Sequence, residues 1–231
     1  MDKHPCWDSQ VWQEIAEKDT YRLRTLAFVP KTVFDLGANR GCFTAYAKFL
    51  WPRCTVVAVE ANAENFRHLQ LATAEMPDVT CLHAAVADGP AYWLPGGNDA
   101  THTYTSPTLS APVEALQAFG SPCSVAPVLL DEVAANAVPP YIVKVDIEGG
   151  EQCLLHHEPS NAVLRAADFW TTEIHFYAAE LRGVRDKPPA HWETHGEVVT
   201  ALVQWAYSFT PTHSVELLLR QNGGMVWATK T

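Results

Sequence analysis

The chain lacks several features that would place it in common functional classes. No run of apolar residues approaches the length that a bilayer-spanning helix needs, and residues 1–8 contain no apolar core of a signal peptide. Basic residues are scarce, since 16 lysines and arginines stand against 26 aspartates and glutamates, and the formal net charge is −10. This balance disfavours a nucleic-acid partner, which needs a basic surface, and an anionic membrane. We therefore expect a soluble, cytoplasmic protein.

Paired cysteine motifs are also missing. The six cysteines stand at positions 6, 42, 54, 81, 123 and 153, and none of them forms the C-x-x-C spacing of a zinc ribbon or a thioredoxin-like redox motif. Their wide spacing in a chain without a signal peptide predicts reduced thiols.

A glycine-bearing turn between a strand and a helix is the most informative feature that is present. Residues 32–44 read as a buried strand, a turn and a helix start, and a second apolar strand over 55–59 ends in Glu60. In doubly wound sheets this arrangement holds an adenosine-type cofactor, because an acid at the next strand end accepts hydrogen bonds from ribose hydroxyls. A plain strand–helix junction is the alternative interpretation.

The spelling of this turn argues against a dinucleotide cofactor. The dinucleotide fingerprint needs glycine at 37, 39 and 42, where this chain has Gly37, Asn39 and Cys42, and Gly41 lies out of register. The missing third glycine is the one that packs the helix closely beside a pyrophosphate. A dinucleotide-dependent oxidoreductase is therefore disfavoured.

Strands and helices alternate along the chain, which predicts an α/β fold with a mostly parallel sheet, helices on both faces and right-handed crossovers. Strands are predicted at 32–36, 55–60, 79–86, 141–146 and 169–174, and helices at 8–27, 41–51, 62–75, 149–157 and 193–208. The Asn-Gly turn at 222–223 between two apolar runs predicts a C-terminal antiparallel hairpin.

The chain shows one domain with two less regular parts. We interpret residues 1–30 as an N-terminal helical segment and residues 31–231 as a single Rossmann-like domain. Residues 95–127 show little periodicity and are rich in glycine and proline. A loop of this length in a compact domain is either functional or disordered, so both a substrate-facing lid and a disordered insertion are open.

A second block, Val143-Lys-Val-Asp-Ile-Glu-Gly-Gly-Glu, places acids at the end of a central strand. Asp146 lies at the carboxyl end of that strand, where ligands bind in open α/β sheets, and Glu148 follows on the turn. Lys144 is two residues earlier, so strand alternation puts it on the same face as Asp146. Alternatively, both acids only cap the next helix.

Two further candidate residues close the next predicted strand. Glu173 and His175 are two positions apart, so they share one face or edge, and a histidine has a pKa suited to a general base. Together with Asp146 and Glu148 they could also hold a hard cation through oxygen ligands, but spacing alone does not support this, and we assign no metal.

Four blocks in order carry a resemblance to a known family. They are Asp35-Leu-Gly-Ala-Asn-Arg-Gly41, Val59-Glu-Ala-Asn62, the block around Asp146, and Thr172-Glu-Ile-His175. Across about residues 30–177 this pattern resembles the FkbM family of class I S-adenosylmethionine-dependent methyltransferases. The resemblance implies a seven-stranded sheet and S-adenosylmethionine as cofactor.

The resemblance also implies roles for individual residues. Asp146 would lie nearest the amino and methyl groups of the donor, and Glu148, Glu173 or His175 would take the proton of the acceptor, in no established order. The other cofactor-binding candidates line the turn, hold the ribose and surround the adenine. They are Asp35, Gly37, Ala38, Asn39, Gly41, Glu60, Ala61, Val86 and Asp88.

The resemblance further implies the reaction class. Members methylate hydroxyls on small molecules, sugars and other secondary metabolites, so O-methylation of a small-molecule or glycan acceptor is the first hypothesis. N-methylation on the same scaffold and a non-catalytic binding module remain alternatives. The sequence names neither the acceptor nor the oligomeric state.

Overall fold

The computed structural model describes residues 10–89, 91–93, 103–105, 123–147, 150–151, 154, 157–175, 195–220 and 223–231. Within these ranges twelve strands are present, and seven of them form one sheet. The strands are β1 Thr32–Leu36, β2 Thr55–Glu60, β3 Val79–His83, β4 Ala85–Val86, β5 Ala91–Trp93, β6 Thr103–Thr105, β7 Cys123–Val125, β8 Pro127–Val128, β9 Tyr141–Val145, β10 Phe169–His175, β11 His213–Arg220 and β12 Gly223–Lys230.

The seven-stranded sheet has the order β3-β2-β1-β9-β10-β12-β11. All neighbouring pairs from β3 to β10 are parallel, whereas β12 runs antiparallel to both β10 and β11. The predicted mostly parallel sheet with a C-terminal antiparallel hairpin is therefore confirmed. Because β1, β2, β9 and β10 are parallel, their carboxyl ends meet at one edge.

Helices flank the strands. They are α1 Gln10–Trp12, which continues as a π-helix over Gln13–Glu17, a 3₁₀ turn at Leu23–Thr25, α2 Cys42–Leu50, α3 Ala63–Thr73, α4 Leu130–Val133, α5 Glu158–Ala166 and α6 His195–Tyr207. Asn62 is the N-cap of α3. Its side chain accepts hydrogen bonds from the backbone N–H groups of Glu64 and Asn65.

The predicted helix over 8–27 is wrong in its second half. The helical segment ends at Glu17, and the chain then turns at Asp19 and Arg22, which adopt left-handed backbone angles (φ 52° and 57°). The Asp19 carboxylate accepts hydrogen bonds from the backbone N–H groups of Leu23 and Arg24, at 3.0 and 3.2 Å. A side chain that bonds the backbone locally competes with helix formation, which explains the early end.

Two further element predictions need correction. The predicted strand over 79–86 is divided, because β4 leaves the main sheet and pairs with β8. The predicted helix over 149–157 lies largely outside the described residues, and α5 was not predicted. Its N-cap is His157, whose side chain accepts a hydrogen bond from the Ser160 N–H, and a proline stands in its first turn.

The glycine- and proline-rich region 95–127 contains regular structure in the part that the structure describes. Strands β6 and β7 both pair antiparallel with β5, in a small separate sheet. Within the region, 103–105 and 123–125 therefore lie in paired strands. Residues 95–102 and 106–122 lie outside the described ranges, and the lid interpretation stays a prediction.

The sheet carries a hydrophobic core on each face because successive side chains alternate between faces. In β1, Phe34 packs with β9, β10, α5 and α6 side chains, including Trp170 and Phe209. Its neighbour Val33 packs on the opposite face with α2 and with the N-terminal segment, which contributes Tyr21. Ile15, Tyr21 and Leu23 of the N-terminal segment are thus part of the domain core.

The prediction of reduced thiols is wrong at one position. Cys54 and Cys81 are free, but Cys42, at the start of α2, is disulfide-bonded. Pairing depends on three-dimensional distance, which cysteine spacing along the chain does not encode. Cysteine usage therefore no longer supports the expected compartment.

Among the described residues, no helix is long and apolar enough to cross a membrane.

Candidate active site

The turn after β1 is held in place by β2 and β9. The backbone N–H groups of Gly37 and Ala38 both donate to the carbonyl of Val59, at 2.9 Å. Gly37 has a φ of +78°, and a Cβ at this position would lie 1.7 Å from the carbonyl oxygen of Asp146. Glycine is therefore required here by the close approach of two strand ends, in addition to any need for room beside a ligand.

The second glycine of the turn serves helix packing. Gly41 caps α2 with a φ of +89°, and a Cβ there would lie 2.9 Å from Cδ1 of Leu69 on α3. Asn39, which lies between the two glycines, is exposed and also left-handed at φ 50°. The predicted turn residues are thus brought together at the carboxyl end of β1.

Glu60 joins this turn to the end of β2. Its two carboxylate oxygens accept hydrogen bonds from backbone N–H groups, one from Asn39 at 2.8 Å and one from Asn62 at 2.7 Å. The residue is 8% exposed, and burial raises the pKa of its carboxyl to about 7 although both hydrogen bonds act to lower it. Glu60 is therefore anchored by backbone N–H groups, and its contact with a ribose stays a prediction.

The remaining cofactor candidates occupy different environments. Ala38 and Ala61 are buried beside the turn and at the end of β2. Val86 is buried in the core with Val59, whereas Asp88 is exposed. The backbone connects this region to the site, because Ala84 N–H donates to the Glu60 carbonyl at 3.1 Å. Contact of Val86 or Asp88 with an adenine stays a prediction.

A buried lysine lies between the ends of β1 and β9. Lys144 is 2% exposed, and its ammonium donates to the Gly37 carbonyl at 2.7 Å. It lies 3.1 Å from Oδ1 of Asp35 and 3.6 Å from Oδ2 of Asp146, which confirms the predicted shared face. Burial by itself lowers the pKa of Lys144, but the two carboxylates outweigh it, so the pKa is raised and the side chain is charged.

Asp35 is placed differently from the other turn residues. It is fully buried, and its Oδ2 accepts a hydrogen bond from the Thr44 hydroxyl at 2.7 Å. With Lys144 on its other oxygen, Asp35 holds the turn and the lysine in place. Its predicted role in ordering the turn fits this geometry, and direct contact with a ligand does not.

Asp146 is half-buried, and side chains from two other parts of the chain lie beside it. The Tyr21 hydroxyl donates to Oδ2 at 2.9 Å, and His175 Nε2 lies 3.8 Å from Oδ1. Burial, and after it the charge of Asp146, raises the pKa of Tyr21 well above its usual range. Tyr21 was not among the predicted site residues, because no motif marks the segment that carries it.

His175 is oriented by a second acid that the sequence interpretation also missed. Its Nδ1 lies 3.2 Å from Oε1 of Glu151, a buried carboxylate that also accepts the Ile147 N–H at 3.0 Å. Because a carboxylate only accepts hydrogen bonds, this contact orients the ring with a protonated Nδ1 toward Glu151. Glu151 is the last acid of the block around Asp146, so the motif itself could have identified it.

Glu173 is a further acid close to Asp146 and His175. It is half-buried, and burial together with the charge of Asp146 raises the pKa of its carboxyl to about 7. One ligand atom each from Asp146, Glu173 and His175 lies within 4.8 Å of the others, so these three could hold a cation. Lys144 already supplies a positive charge to Asp146. Glu148 lies outside the described residues.

The arrangement can do two things chemically. At one end, a turn with left-handed glycines and an anchored carboxylate can receive the polar groups of an adenosine. At the other end, an oriented imidazole with two carboxylates can remove a proton from a neutral nucleophile. The ends of β1, β2, β9 and β10 bring the two together.

Comparison with known proteins identifies the family of this domain. The family model of the methyltransferase FkbM domain matches residues 35–209, which is more than half of the chain. No curated protein sequence matches the chain.

Solved structures share the fold at low sequence identity. A candidate rRNA methylase from Clostridium thermocellum is 9% identical with a TM-score of 0.54, and the match covers 93% of this chain and 96% of that one. A candidate methyltransferase from Streptococcus mutans in complex with SAH is 8% identical with a TM-score of 0.51, over 93% and 97% of the two chains. At these identities the likeness shows the methyltransferase fold alone.

Proposed function

The chain belongs to the FkbM family of S-adenosylmethionine-dependent methyltransferases, and from this premise we propose that it methylates a hydroxyl oxygen of a small molecule or glycan, such as a secondary metabolite. The observation that carries the proposal is the oriented His175, with Glu151 on Nδ1 and its Nε2 3.8 Å from Oδ1 of Asp146. A hydroxyl must lose its proton on methylation, whereas a neutral amine attacks through its lone pair without prior deprotonation. A built-in base therefore favours oxygen.

The donor set fits the cofactor. When bound, S-adenosylmethionine supplies an electrophilic methyl group on its sulfonium. The Glu60 carboxylate has about four lone-pair sites, of which two accept backbone N–H groups, so it retains acceptors for ribose hydroxyls. The acids around Asp146 suit the positively charged amino end of the donor.

The protein's own contribution is orientation and the removal of one proton. We assign the acceptor proton to Nε2 of His175, with Glu151 holding the ring through Nδ1. Glu173 has a pKa of about 7 and is the next candidate for the same proton. Asp146 keeps the imidazolium that forms near a negative charge, at 3.8 Å.

The proposed partners follow from charge and from the fold. A net charge of −10 disfavours nucleic acid and anionic membrane surfaces as partners. We therefore propose uncharged or cationic hydroxylated small molecules and glycans as acceptors.

Isothermal titration with S-adenosylhomocysteine tests the first step, with NAD as the control ligand. We expect binding of S-adenosylhomocysteine alone. Binding of neither ligand would overturn the methyltransferase proposal and favour a non-catalytic module.

An acceptor screen tests the second step. Purified protein with S-adenosylmethionine is offered hydroxylated and amino-bearing small molecules, and release of S-adenosylhomocysteine is measured. We expect turnover on hydroxyl acceptors that falls at least tenfold in His175→Gln and stays unchanged in His68→Gln, a histidine on α3. Turnover on amines alone, or an undiminished rate in His175→Gln, would contradict the assignment.

A further inference from the structure

We propose that the turn over residues 19–22, outside the matched family domain, forms part of the methyl-donor site, with Tyr21 as a positioning residue on Asp146. This inference rests on the proposed function, since it concerns the same cleft. It adds a residue and a segment that neither the motifs nor the family match includes.

The contact itself is direct. The Tyr21 hydroxyl lies 2.9 Å from Oδ2 of Asp146, whereas Lys144 Nζ and His175 Nε2 lie 3.6 and 3.8 Å from this carboxylate. Of these three neighbours only Tyr21 is within ordinary hydrogen-bond distance. The hydroxyl therefore fixes which carboxylate oxygen faces the buried lysine and which faces the histidine.

The turn that carries Tyr21 is strained and locally braced. Asp19 and Arg22, on either side of the pair 20–21, both have left-handed backbone angles, which cost non-glycine residues free energy. The Asp19 carboxylate offsets this cost by accepting the N–H groups of Leu23 and Arg24. Strain of this kind persists only where surrounding contacts hold it, and it is common at functional sites.

Long-range contacts fasten the same turn to the C-terminal hairpin. Trp227 Nε1 donates to the Thr20 carbonyl at 3.0 Å, and the Arg22 guanidinium lies 3.8 Å above the Trp227 ring. Arg22 also pairs with Glu216 at 2.7 Å. On the other side of the turn, the Tyr21 ring meets Phe43 edge-on at 5.3 Å. The backbone on either side of Tyr21 is therefore held by the hairpin, and the Tyr21 ring packs against Phe43.

The consequence concerns the amino end of the donor. A carboxylate held in one orientation attracts the donor's ammonium group better than one that turns between partners. Loss of the Tyr21 hydroxyl should therefore weaken ligands that carry the amino-acid part of the donor. Ligands that carry only the adenosine part should be unaffected, because Glu60 is anchored separately by backbone N–H groups.

The test compares two tyrosine variants and two ligands by titration calorimetry. Tyr21→Phe removes the hydroxyl on Asp146, and Tyr46→Phe is the matched control, because the buried Tyr46 hydroxyl has no hydrogen-bond partner among the described residues. We expect Tyr21→Phe to lose roughly tenfold in affinity for S-adenosylhomocysteine and less than twofold for 5′-methylthioadenosine, which lacks the amino-acid part. Tyr46→Phe should bind both ligands as the wild type does.

The outcomes separate this inference from the function that it rests on. No binding of S-adenosylhomocysteine by the wild type would overturn the proposed function. Wild-type binding with unchanged affinity in Tyr21→Phe, or an equal loss for both ligands, would overturn only the role of Tyr21. Thermal unfolding of both variants checks that neither result comes from a loss of fold.

Discussion

The carboxylates of Glu60 and Asp146 are held by different kinds of contact. Glu60, at the end of β2, is anchored by backbone N–H groups from its own turn and from the neighbouring one. Asp146, at the end of β9, is surrounded by side chains of Tyr21, Lys144 and His175, which come from three separate parts of the chain. The comparison teaches that one acid is anchored by the backbone of two adjoining turns, whereas the other depends on side chains from distant parts of the chain.

The largest effect should be on the free energy of unfolding and should come from removing the positive charge of Lys144. Lys144→Met leaves the fully buried Asp35 without its positive partner, and an unpaired buried charge costs about 3 kcal/mol or more. Urea unfolding measures the change. The control is Lys48→Met, since Lys48 is also buried but, among the described residues, bonds the carbonyls of Pro52 and Cys54 and no carboxylate. An equal or larger loss in the control would contradict the assigned role.

The next largest effect should be on the affinity for S-adenosylhomocysteine and should come from removing the Glu60 carboxylate. Glu60→Ala should weaken S-adenosylhomocysteine by roughly tenfold to a hundredfold, because hydrogen bonds to a charged group contribute about 1.5–3 kcal/mol. Glu75→Ala, an exposed acid beyond α3, is the control. Calorimetry that gives wild-type affinity for Glu60→Ala would remove it from the ribose site.

The affinity for S-adenosylhomocysteine should also depend on pH, through Glu60. The pKa of Glu60 is raised to about 7, and the ionised form is the better acceptor for ribose hydroxyls. The affinity for S-adenosylhomocysteine should therefore rise from pH 6 to pH 8 and level off above. A flat profile in the wild type would show that Glu60 binds the ligand equally well when protonated.

A smaller effect should appear in the pH dependence of the free energy of unfolding, through Glu173. The pKa of Glu173 is raised to about 7, so between about pH 4.5 and 7 the folded protein holds a proton that the unfolded chain releases. The stability from this proton is complete below about pH 4.5 and is lost as the pH rises through 7. Glu173→Gln should therefore be more stable than wild type by roughly 1 kcal/mol at pH 8, after allowance for solvent screening, and show little difference at pH 4.5. Urea unfolding that finds the variant less stable at pH 8 would contradict this.

The smallest effect should follow metal removal. Asp146, Glu173 and His175 are close enough for a cation, but Lys144 already places a positive charge beside Asp146. EDTA should leave turnover and S-adenosylhomocysteine affinity unchanged, and added Mg²⁺ should not raise them. A rate that collapses with EDTA and returns with Mg²⁺ would show that the acids at this end act as ligands.

Sequence-based prediction succeeded where a feature is encoded by neighbouring residues. The bounds of β1 and β2 agree with the prediction, because hydrophobic periodicity acts within a few residues. It failed where local bonds or distant contacts decide the outcome, as at the turn after Glu17, at the division of β3 from β4 and at the Cys42 disulfide.

The sequence by itself determined the α/β class, the glycine turn, the acid at the end of β2 and the acidic block of β9. Each of these is encoded in a short stretch of chain, because residue types and their spacing act over a few positions. Only the tertiary structure decided that Lys144 balances Asp35 and Asp146, that Glu151 orients His175 and that Tyr21 meets Asp146 across 125 positions of sequence. Those contacts depend on strand order, crossover and the packing of both sheet faces, which no local pattern specifies.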